Sequence, residues 1–257
     1  MKLAIIQLVT LIGAAFLLWL ISHKIRKVSI IDRFWSAFFL MASLVAWLLS
    51  PSLLINTMLM MIPLLLWGVR LSLHIAIRSL KKGEDPRYIR LEKTYRHLGK
   101  TWALWIVFLP QVLLAWIINW PITVAIASAR PPFSWGIVIF GIVLFVVGFL
   151  FESIADAQLL RFQRRRSNSE QVLDQGLWSW SRHPNYFGEA VLWWGFYFLS
   201  VGVSGSMLTI FSPILITFLL MKVSGVTMLE ELLEQSKPQY KSYIKKTSAF
   251  FPWPPKK

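Results

Sequence analysis

The chain contains no cysteine, which excludes a disulfide framework, a thiolate nucleophile and a sulfur-based metal site. Its four histidines, His23, His74, His97 and His183, lie far apart. None stands four residues from another, so the spacing predicts no metal centre. Acidic residues are scarce too: 12 Asp and Glu against 27 Lys and Arg leave a formal charge of +15 over 257 residues. Nucleic-acid binding would need a basic soluble domain, and no segment is long and polar enough to form one. The excess suits anionic lipid headgroups or an anionic cofactor. Internal repeats, low-complexity tracts and long linkers are also missing, which points to a single domain over residues 1–257.

Apolar residues make up 56% of the chain. They gather in runs at 3–21, 34–49, 53–77, 102–127, 133–151, 186–203 and 207–221. A helix needs about 20 apolar residues to cross the hydrocarbon. The pattern predicts an all-α integral membrane protein of about seven transmembrane helices. The first run lacks a small-x-small cleavage site and is expected to stay as a span.

Basic clusters follow runs one, three, five and seven, whereas Lys2 and Arg130 lie in the other gaps. The positive-inside rule then places the N-terminus outside and the C-terminus in the cytoplasm. All the acidic residues fall on or near that cytoplasmic side, so a polar ligand is expected there. Most of the 14 Trp residues read as interfacial belts; Trp193 and Trp194 suit either a belt or the lining of a pocket for a flat ring system.

Three segments carry candidate chemistry. Run five ends in Glu152 and Asp156, four residues apart and so on one helical face. Their mutual repulsion near hydrocarbon requires a partner: a surface arginine such as Arg161 or Arg164, or ligand hydroxyls and amines. Next, Arg182-His183-Pro184-Asn185-Tyr186-Phe187-Gly188-Glu189 opens run six. Pro184 suits a first helical turn, whose free N–H groups and dipole favour an anion. Arg182 and His183 add charge there, and Asn185 and Glu189 project from one side of the helix. Finally, Arg70 and His74 stand within run three, where ionisable groups are expensive and usually functional. They merely flank the span if it ends near Trp67. Gln111 and Asn119 share a face of run four and read as helix-to-helix hydrogen bonders. His97 reads as solvated.

The 182–189 segment resembles the signature shared by the steroid 5-alpha-reductase superfamily, the sterol C14 and C7 reductases and the isoprenylcysteine methyltransferases. With Glu152, Asp156, the arginine-rich loop and the closing Tyr240, Tyr243, Phe251 and Pro252, the last 110 or so residues look most like the reductase branch. The nearest likeness is to its uncharacterised bacterial members with a 5-alpha-reductase-type C-terminal domain.

The resemblance implies a membrane-embedded reductase that takes NADPH from the cytoplasm and reduces a carbon–carbon double bond of a steroid-like or enone lipid. It divides the chain into substrate-side helices at 1–130 and a cofactor-binding half at 131–257, and suggests a bacterial inner membrane. Glu152 and Asp156 would face the adenosine end, and Arg161, Arg164 and Arg182 with His183 the phosphates. Asn185, Tyr186 and Glu189 would face the nicotinamide, with Tyr240 and Tyr243 closing the site. No Gly-x-Gly-x-x-Gly or Walker sequence is present, so membrane helices and loops would have to hold the nucleotide.

In those reductases a Tyr supported by a Glu polarises the substrate carbonyl. No such pair stands at the matching positions, leaving Arg70 or His74, oriented by Asp32, with Glu189 as the candidate catalytic groups. Two other classes stay open. One is an S-adenosylmethionine-dependent methyltransferase, against which the run of arginines argues by favouring a polyphosphate over a sulfonium. The other is a non-catalytic lipid-binding membrane protein.

Overall fold

The computed structural model describes residues 2–79, 83–166, 168, 170–223 and 239–255. Among them there is no β-strand, only an isolated bridge between Ser181 and Ser248. The helices are α1 (Lys2–Ile25), α2 (Ile30–Leu49), α3 (Leu54–Ser79), α4 (Pro86–Tyr95), α5 (Leu109–Ile118), α6 (Trp120–Ile126), α7 (Trp135–Arg165), α8 (Pro184–Ser204), α9 (Phe211–Phe218) and α10 (Tyr240–Lys246). Four of them, α1, α2, α3 and α7, are long and apolar enough to cross a membrane. A fifth candidate is the pair Pro86–Thr101 and Leu104–Ile118, bent by 113°.

The fourth apolar run is therefore not one straight rod. Gly99 adopts φ 66° and ψ −152° just before it, a conformation open essentially to glycine alone. A π-helical turn at Leu104–Phe108 follows, and Pro121 starts α6 after a break at Asn119. The seventh run is a short apolar stretch, Leu208–Lys222.

The chain divides into two compact units, Met1–Phe133 with Val203–Ser206, and Ser134–Gly202 with Met207–Lys257. In the first unit α2 packs against α1 and α3, α5 against α1 and α2, and α6 against α2 and α3. Small residues bring α2 and α3 close: a Cβ on Gly68 would lie 3.3 Å from that of Ser36, whose hydroxyl donates to the Gly68 carbonyl at 2.8 Å. Trp67 and Phe39, both fully buried, meet edge-on at 5.5 Å. A buried polar chain crosses this core. Gln7 Nε2 donates to the Ala42 carbonyl and to Thr123 Oγ1 at 2.8 and 3.0 Å, Asn119 Nδ2 donates to the same Thr123, and Ser43 donates to Asn119 Oδ1. In an apolar medium each such group needs its partner, so the chain specifies how α1, α2 and α6 meet.

The second unit is organised by an antiparallel helix pair. Residues buried along α7 include Val138, Gly141, Phe145, Gly148, Glu152 and Ala155, alternating steps of three and four. That 3.5-residue period keeps one seam facing a partner helix. The partner, α8, carries Gly188, Gly195 and Gly202 seven residues apart. A Cβ on Gly141 would lie 2.5 Å from the Leu199 nitrogen, one on Gly188 2.5 Å from the Glu152 nitrogen, and one on Gly195 2.6 Å from the Phe145 nitrogen. The backbones touch, as small residues permit where helices associate in apolar surroundings.

A substitution pair tests the seam. Gly148→Ala sets a methyl group against the Leu192 backbone and the Gly188 carbonyl, and should lower stability by about 1–3 kcal/mol. Gly13→Ala in α1 has open space around it, and should leave stability unchanged or raise it by at most about 1 kcal/mol. Thermal unfolding of the purified variants in detergent reads both.

Candidate functional site

At 31 residues, α7 is about 46 Å long, some 16 Å more than the roughly 30 Å hydrocarbon. Its apolar stretch ends at Phe151, and the excess length carries Glu152 and Asp156. Both are buried, at 2% and 5% exposure. The glycine seam sets Glu152 against Gly188 of α8. One turn further on, Asn185 Nδ2 donates to Asp156 Oδ1 at 3.2 Å. Asn185 Oδ1 is itself buried with no hydrogen-bond partner. The amide is thus oriented by the carboxylate and offers an open acceptor.

The chain entering α8 is held from several sides. Gly176 adopts φ 63°, and Gln158 of α7 lies where a Cβ would stand; Gln158 Oε1 accepts the Leu177 N–H at 3.0 Å. Trp178 Nε1 donates to the Ala155 carbonyl at 3.0 Å. The His183 carbonyl accepts the first helical N–H, from Phe187, and the His183 ring stacks on Tyr186 at 5.5 Å and 2°. Glu189 is half-buried one turn after Asn185.

The C-terminal segment docks on the same entry. Arg182 Nη1 donates to the carbonyls of Ile244 and Thr247 at 3.1 and 2.5 Å. Tyr243 donates its hydroxyl to the Trp178 carbonyl at 2.5 Å, and its ring meets buried Tyr240 at 5.6 Å. Tyr240, Tyr243, Arg182, His183, Asn185 and Asp156 thereby belong to one neighbourhood. Arg161 and Arg164 are exposed on the last turns of α7.

In the first unit, α3 continues unbroken to Ser79, so Arg70 and His74 lie within the helix, both half-buried. Asp32 engages neither of them. Its Oδ1 accepts the Tyr88 hydroxyl at 2.6 Å and its Oδ2 accepts Arg87 Nη2 at 2.9 Å. Gln111 Nε2 donates to the Tyr88 oxygen at 3.3 Å. This Asp32–Tyr88–Arg87–Gln111 cluster is the group that residue-by-residue reading overlooked. Glu84-Asp85-Pro86 does announce a helix start, because Asp85 caps α4 and Pro86 occupies its first position. That places Tyr88 in the first turn. No local spacing links it to Asp32, 56 residues away. Asn119 does bond across helices, to Ser43 of α2, as its position suggested, and His97 is exposed.

With helices as the regular structure of its described residues and four or five of them suited to a bilayer, the chain belongs to the class of multi-helical membrane proteins, with a polar site where α7 and α8 meet. Residues 18–247 match the family described as "Protein of unknown function (DUF1295)", and the chain belongs to that family. It is 26% identical over 268 aligned residues to "Uncharacterized protein C594.04c" of Schizosaccharomyces pombe (strain 972 / ATCC 24843), covering 91% of this chain and 75% of that protein. No solved structure matches the chain.

Asp85 supplies a pH-dependent prediction. Burial works to raise its carboxyl pKa, but hydrogen bonds from the Arg87 side chain and backbone, together with the Arg87 charge, hold it below the ordinary aspartate value. A depressed folded-state pKa contributes stability in full above the unfolded value of about 3.9, and that contribution is lost as pH falls through the lower folded value. Asp85→Ala should therefore lower stability by about 1 kcal/mol at neutral pH through loss of the cap. Melting curves of wild type and variant should begin to converge as pH falls below about 3.9 and meet once it has passed the lower folded value.

Proposed function

We propose that this protein is a membrane-embedded, NADPH-dependent reductase acting on a carbon–carbon double bond of an apolar, steroid-like or enone lipid. In this reading it crosses the inner membrane of a bacterium seven times, with the N-terminus outside and the cofactor site on the cytoplasmic side. The observation that carries the reading is Asn185. Its buried amide oxygen lacks a partner while its nitrogen is held by Asp156, which fits an N–H donor such as the carboxamide of a nicotinamide.

The remaining donor set fits the same cofactor. Tyr186 and Glu189 follow Asn185 on α8, Glu152 and Asp156 suit hydroxyl and amino donors of an adenosine, and Arg161 and Arg164 with His183 suit phosphates, Arg182 being held by the Ile244 and Thr247 carbonyls. When bound, NADPH supplies the hydride. The chain's own part is to orient the cofactor and to polarise the substrate oxygen as negative charge develops on it.

Binding measurements on the detergent-purified protein test the proposal. NADPH should raise the melting temperature, and Asn185→Ala and Glu189→Ala should each weaken its affinity up to about tenfold. Stabilisation by S-adenosylmethionine alone would replace this reading with a methyltransferase, and indifference to both would leave a lipid-binding protein.

A further inference from the structure

The C-terminal segment builds a second polar feature beside the entry to α8. Ser248 pairs with residues 181 and 182 through a parallel bridge and an Arg182 N–H to Ser248 carbonyl bond of 2.8 Å. Ser181 Oγ donates to the Phe250 carbonyl at 2.9 Å, and the Trp253 N–H to the Trp180 carbonyl at 2.9 Å. These bonds hold open a cleft of about 370 Å³ lined by Arg182, Lys245, Lys246, Thr247, Ser248 and Trp253 among others, with three cations and no carboxylate in its wall. Arg182 is only 8% exposed, and its guanidinium is oriented by the Ile244 and Thr247 carbonyls. Lys245 and Lys246 are exposed at the rim.

Exposed rings accompany the cleft, Trp253 in its wall and Phe251 and Trp180 on the two segments that pair beside it. Trp253 is 70% exposed, Phe251 62% and Trp180 48%. In water such a trio of large rings beside lysines would be an unfavourable surface. At the headgroup level of a bilayer it is the expected one, since Trp settles there and Lys and Arg meet anionic lipid. The depth agrees: residues 176–182 dock on Ala155 and Gln158 of α7, just beyond the end of its apolar stretch.

We propose that this cleft binds the phosphate of an anionic phospholipid from the leaflet at that end of α7, with Arg182, Lys245 and Lys246 taking the phosphate and Trp253, Phe251 and Trp180 lying among the upper acyl chains. The lipid would clamp the C-terminal segment against the α8 entry. This site stands whether or not the protein is a reductase.

The test uses the full-length protein in detergent, titrated with phosphatidylglycerol or with phosphatidylcholine of the same acyl chains and read by native mass spectrometry. Phosphatidylglycerol should be retained in preference. Lys245→Gln combined with Lys246→Gln should weaken it by roughly tenfold or more and leave phosphatidylcholine unaffected. Millimolar inorganic phosphate or NADPH should not displace it.

Equal retention of the two lipids, or full phosphatidylglycerol affinity in the double variant, would overturn the proposal. Displacement by inorganic phosphate or by NADPH would overturn it too, in favour of a site for soluble phosphate. Should the double variant fail to fold, Trp253→Ala keeps every cation and removes only an exposed ring. It should lose phosphatidylglycerol affinity severalfold, and unchanged affinity would again overturn the proposal.

Discussion

Backbone contact between α7 and α8 is the constraint on which the second unit depends. Gly141 and Gly148 on one helix and Gly188, Gly195 and Gly202 on the other remove the side chains that would hold the axes apart. In hydrocarbon there is little hydrophobic drive to bring helices together, so dispersion contacts along such a seam matter more than in water. The closeness also sets register. With the helices locked backbone to backbone, Glu152 must lie at Gly188 and Asp156 within reach of Asn185.

That register explains how the Asp156 carboxylate tolerates burial. Asp156 is met by an amide from the facing helix, and the segment preceding α8 is sewn to the same turns of α7 by Trp178, Gln158 and the Gly176 turn. The C-terminal segment is fastened in turn to the α8 entry by Arg182, Ser181 and Tyr243. The polar groups at the end of the α7–α8 pair thus form a connected assembly in which each helps orient the next. Such connection is what a binding site needs when its groups sit near a medium that offers no water.

The first unit shows the same economy with different means. Its helices meet through Ser36 and Gly68 and through the Gln7–Thr123–Asn119–Ser43 chain. An ionic cluster joins the start of α2 to the capped start of α4. A phenol, a guanidinium and a carboxylate bonded to one another there contrast with the apolar core beside them.

Helix content, the apolar runs, the asymmetric charge and the polar motif at 182–189 were legible in the amino-acid order, because each depends on residues near in sequence and on transfer between water and hydrocarbon. The capped start at Asp85 and the facing of Glu152 and Asp156 are equally local. The tertiary structure alone decided which of these groups meet. Asp32 belongs with Tyr88 and Arg87 rather than with His74, Arg182 holds the C-terminal segment, and the chain bends by 113° where it enters the fourth run. Each outcome depends on contacts between residues dozens of positions apart, and helical periodicity says which face a residue occupies without saying what that face will touch.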